Sequence, residues 1–64
     1  MNMLDANFDN IETGLQKLKD AVSLRNKMGG ALYYNILNDD CNEIASKLRN
    51  MGADADEIIA ILNG

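Results

Sequence analysis

A chain of 64 residues holds one domain at most. At this size folding buries only about 60% of the unfolded surface, so small domains usually add a disulfide, a metal or a partner subunit. One cysteine, Cys41, closes no intrachain disulfide, and the absence of histidine removes the commonest metal ligand and catalytic base. Ten acids against six bases, a net charge of −4, argue against the clustered Lys and Arg that nucleic acid or anionic lipid demands. No apolar run approaches the ~20 residues of a membrane span, and the N-terminal stretch MNMLDANFDN lacks the basic and apolar regions of a secretory signal. With a lone thiol that suits a reducing compartment, the expected location is the cytoplasm. Proline is absent, and no window alternates β-branched and aromatic residues as a strand does. The expectation is an all-α protein.

Helix 1 is expected over residues 4–28. Leu4, Phe8, Ile11, Leu15, Leu18 and Val22 recur at spacings of four and three, which places them on one face. Asp9 and Glu12 stand in the relation of a capping box, although Leu4 and Phe8 fit the seam ahead of them. Beside that seam Gly14, Ala21, Leu24 and Met28 form a second stripe. Gly14 costs a helix about 1 kcal/mol against alanine, which points either to a tolerant surface site or to close approach of another helix backbone. Arg25 and Lys27 fall in the last turn, where cations complement the helix dipole.

The sequence NKMGGALYYN then puts Gly29 and Gly30 between two seams of matching length. A double-glycine leader peptide should carry an apolar residue two places before the first glycine, and here that place is Lys27. The glycines therefore read as the hinge of an αα-hairpin. Helix 2 is expected over residues 31–51, with Tyr34, Leu37, Cys41, Ile44, Leu48 and Met51 as its seam and Gly52 as its stop. A short helix 3 over residues 54–62 follows, with Asp54 and Glu57 as a capping box ahead of Ile58, Ile59, Ile61 and Leu62. Being so short, it must dock on the other two.

Chemistry is sparse in this pattern. Cys41 on the seam reads as a core thiol, and Ser23, Ser46 and Thr13 have no base to activate them. Asp39, Asp40 and Glu43 are a carboxylate cluster of the kind that binds Mg²⁺ or Ca²⁺, but their spacing opposite the seam reads as a solvated acidic face. No catalytic residue, metal or cofactor is expected, and no enzyme. Leu32, Tyr33 and Ile36 lie off the seam and run into the acids. Surplus apolar positions of this kind favour self-association, most simply a homodimeric helical bundle, with a three-helix monomer as the alternative. In general build this resembles the small dimeric hairpin regulators of plasmid copy number, an architectural likeness without a shared motif.

Two functions are compatible with these features. The first is a small acidic non-enzymatic protein, of the kind phages and mobile elements encode, that binds and regulates or inhibits a protein partner through Leu32, Tyr33, Ile36, Asp39, Asp40 and Glu43. The second is an oligomer that sequesters a nucleotide-like anion between Arg25, Lys27, Tyr33 and Tyr34, since cations and rings flank a helix N-terminus there. Nucleic acid and membrane are not expected partners.

Overall fold

A computed structural model describes residues 7–27 and 30–64. Three helices make up the architecture: α1 over Ile11–Lys27, α2 over Ala31–Asn50 and α3 over Ala55–Leu62. The described residues contain no strand.

Helix α1 begins later than the seam suggests. Residues 7–10 are not helical. Asn10 caps the helix instead of Asp9: its Oδ1 accepts from the Thr13 N–H at 2.8 Å and its carbonyl from the Gly14 N–H at 2.9 Å. Phe8 is buried all the same, because the chain ahead of the helix folds back onto it. Lys17 Nζ donates to the Asn7 carbonyl at 2.7 Å, and Lys47 of α2 sits 4.7 Å from the centre of the Phe8 ring. The earlier start at Leu4, the second-stripe residue Met28 and the hinge residue Gly29 lie outside the described residues.

The buried face of α1 runs between the two stripes read from the sequence. Gly14, Leu18, Ala21, Val22 and Arg25 face inward, while Ile11 and Leu15 are half-buried and Leu24 is exposed. Gly14 explains the rotation. A Cβ there would lie 2.7 Å from Leu48 Cδ2 of α2 and closer still to the Phe8 ring. The close approach is therefore real, but side chains make it and not a helix backbone. Contacts at the two ends of α1 fix the direction of α2: Gly14 meets Leu48, and Arg25 meets Asn38. The two helices thus run in opposite directions.

Helix α2 ends in a Schellman closure. Gly52 takes φ +94°, the Gly52 N–H donates to the Arg49 carbonyl at 3.0 Å, and the Ala53 N–H reaches back to the Leu48 carbonyl at 3.0 Å. Ala53 packs against the core beside Leu48. Helix α3 follows at once. Asp54 caps it, accepting from the Asp56 N–H at 3.0 Å, one residue short of the Glu57 position of a capping box. Ile58 is the fully buried anchor of α3, with Ile61 and Leu62 half-buried beside it and Ile59 turned outward. The core joins Phe8, Leu18, Ala21, Val22, Cys41, Ile44, Ala45, Leu48 and Ile58.

Gly14→Ala separates two kinds of glycine. In an exposed helix the change would stabilise by about 1 kcal/mol, whereas forcing a methyl into a filled core costs about 1–3 kcal/mol. Because Leu48 is fully buried and Phe8 nearly so, a net loss is expected. A lowered midpoint in urea unfolding confirms the close packing, and a raised one refutes it.

Candidate functional site

The outer surface of α2 and the meeting of the three helix ends hold the residues that the sequence singles out for function, except Asp40. On α2, Leu37, Asp40, Cys41, Ile44, Ala45 and Leu48 face inward. At 100° per residue, Leu32, Ile36, Asp39 and Glu43 share a different stripe, well to one side of that face. Leu32 is 69% exposed, Asp39 and Glu43 are exposed and Ile36 is half-buried. Tyr33, 47% exposed, begins the same helix but stands 100° from Leu32, toward the inward side of the stripe.

Asp40 does not belong to it. The expected acidic triad of Asp39, Asp40 and Glu43 is divided, because Asp40 is fully buried. Its place follows from spacing: Leu37, Asp40, Cys41 and Ile44 step by three, one and three along the inward face. The solvated acidic face therefore consists of Asp39 and Glu43. Among the described residues no three His, Cys, Asp or Glu side chains gather as a metal-binding group.

Beside the N-terminal half of α2 the structure turns Arg25 inward. It is 7% exposed. Its Nη1 donates to Asn38 Oδ1 of α2 at 3.0 Å and its Nη2 to the Leu62 carbonyl of α3 at 3.1 Å. Its Nε donates to Asn26 Oδ1 at 3.2 Å, and its guanidinium carbon lies 5.2 Å from the centre of the Tyr34 ring. Asn26 in turn donates through Nδ2 to the Gly64 carbonyl at 3.2 Å. The cation thus answers the carbonyl end of α3 and not, as its position in the sequence suggests, that of its own helix. Tyr34 leaves the seam for the same reason: its ring covers Arg25 and stays 42% exposed. Of the four residues proposed to clasp an anion, Arg25 and Tyr34 are engaged with each other, while Lys27 and Tyr33 are exposed. An anion would have to draw Arg25 away from Asn38 and Leu62.

Cys41 is fully buried beside these groups. Burial pushes its thiol above the ordinary value near 9; the Arg25 charge opposes that rise and the Asp40 charge adds to it. A thiol held protonated in this way is a poor nucleophile. Sequence reasoning missed a shallow groove of about 370 Å³ between α1 and α3, lined by Lys19, Val22, Ser23, Asn26, Ile61 and Gly64. It offers one cation and one hydroxyl, with no acidic side chain to activate them. No helix among the described residues is long and apolar enough to cross a membrane.

No protein-family model, no curated protein and no solved structure matches the chain.

Two measurements probe this end of the molecule. Arg25→Lys keeps the charge but loses the planar fork, and is expected to cost about 2 kcal/mol, with amide exchange accelerating in α3 more than in α2. Uniform acceleration, or none, would show that Arg25 does not hold α3. For Cys41, the folded value lies above the unfolded one, so its contribution to stability is constant below about pH 9 and declines as pH rises past that point. Urea unfolding of the parent chain and of Cys41→Ala between pH 7 and pH 10, roughly spanning the ordinary thiol range, should show this decline in the parent alone.

Proposed function

We propose that this chain is a non-enzymatic protein-binding module that regulates or inhibits a protein partner, with the outer stripe of α2 as its contact surface. In this reading α1 and α2 form an αα-hairpin, α3 braces it, and the hairpins work as a bundle, most simply a homodimer. The observation that supports it is the exposed apolar start of α2. Single exposed apolar residues need no explanation, but Leu32 and Tyr33 stand together one turn ahead of Ile36 and stay exposed with α3 in place. Asp39 and Glu43 continue the stripe, so the surface pairs an apolar anchor with negative charge. That combination suits a partner with an apolar patch flanked by Lys or Arg. The acidic balance of the whole chain points the same way.

The test uses Ile36→Asp and Asp39→Lys, two changes on the stripe and away from the buried face. Both variants should keep the helical circular dichroism of the parent. Captured on a resin and exposed to lysate of the producing cells, they should each retain partner protein at least tenfold less well than the parent, about 1.4 kcal/mol of binding. Equal retention by all three chains removes this reading.

A further inference from the structure

The stripe on α2 carries its own charge complement, which decides what it pairs with. Its acids lie toward the middle of the helix, at Asp39 and Glu43. Its beginning is positive: Gly30 caps α2 without any side-chain hydrogen bond, and the first turn contains no acid, so no carboxylate of that turn offsets its N–H dipoles. Lys27, exposed at the end of α1, lies three residues before Gly30 and so within about 11 Å of it. Between the positive beginning and the negative middle stand Leu32 and Ile36, one turn apart.

We infer that the first occupant of this surface is a second copy of the chain, its α2 packed antiparallel against the first about a two-fold axis at the level of Tyr34. This inference rests on reading the α2 stripe as a protein-contact surface and names its partner. Antiparallel pairing sets Leu32 of each copy against Ile36 of the other. It carries Asp39, five residues past the axis, to within one residue's rise of the level of the other copy's cap residue Gly30, four residues before it, and the same pairing occurs twice by symmetry. Parallel pairing would do the reverse, setting Asp39 against Asp39 and one positive helix start against the other. The charge pattern therefore selects the antiparallel sense.

The size of the contact sets its strength. A standard interface takes about 800 Å² from each partner, which here would be about a fifth of the 4066 Å² surface of the chain. A stripe with two exposed or half-exposed apolar side chains, Leu32 and Ile36, offers less than that. The dimer should accordingly be in exchange with monomer, with a dissociation constant on the order of micromolar to tens of micromolar.

Sedimentation equilibrium of the intact chain tests the association, and cysteine cross-linking tests its sense. The parent should show a monomer–dimer equilibrium that Ile36→Asp and Asp39→Lys each weaken at least tenfold. Chains bearing Leu32→Cys and chains bearing Ile36→Cys, mixed under mild oxidation, should cross-link to each other faster than either links to itself; Cys41, fully buried, does not compete. Faster self-linking by each would overturn the antiparallel arrangement. A parent that sediments as monomer up to about 1 mM would overturn the inference altogether. If capture of another protein still depends on Ile36 in that case, the contact-surface reading survives without the dimer; if it does not, both fall.

Discussion

A guanidinium buried where three helices meet organises this small protein. A charge removed from water is tolerated only when its donors are satisfied, and Arg25 finds acceptors on α1, α2 and α3 together with the face of Tyr34. The arrangement orients α3, whose eight residues would not be helical alone. Ile58 supplies the apolar part of that docking, and Arg25 with Asn26 supplies the polar part at the carbonyl end. Asp40 is buried on α2, and its charge and that of Arg25 both act on the Cys41 thiol, which follows Asp40 in the sequence. The interior is therefore an apolar core with a charged end.

This economy bears on function. The cation best suited to hold an anion is used in the fold, and the thiol is sealed in the core. Part of the second stripe of α1 is also used: Gly14 and Ala21 are buried, and Gly14 lets α1 and its preceding loop sit tightly against α2. Among the described residues, the large apolar side chains left exposed gather mainly in the first turns of α2, with Leu24 on α1, Met51 at the end of α2 and Ile59 on α3 standing singly. Leu32, Tyr33 and Ile36 precede Asp39 and Glu43 along α2, so apolar side chains and negative charge follow one another on that helix.

Much of this was legible in the residues. Helical period and glycine punctuation placed α2 and α3 to within a residue, because Gly52 must adopt a conformation that other residues resist and because Asp54 is a strong cap. The start of α1 was misplaced because Phe8 continues the apolar period by coincidence; a side chain buried by a loop folding back carries the same spacing as one buried on a helix. Asp40 was assigned to the acidic face by its chemistry, although its spacing from Leu37 and Ile44 puts it on the inward one. For Arg25, no sequence signal separates a cation capping its own helix from one capping a helix that begins thirty residues later.

The sequence by itself determined the helical class, the two later helix boundaries, the apolar character of the seams and the lack of histidine-based chemistry. These depend on backbone preferences and on period, which are local properties of the chain. Only the tertiary structure decided which stripe of α1 is buried, which acid leaves the solvent, and where Arg25 spends its hydrogen bonds. Those outcomes depend on contacts between residues far apart in the chain: Gly14 with Leu48, and Arg25 with Asn38 and Leu62. A buried polar group takes whichever partners the packing brings within reach, and that reach is set by the assembled helices.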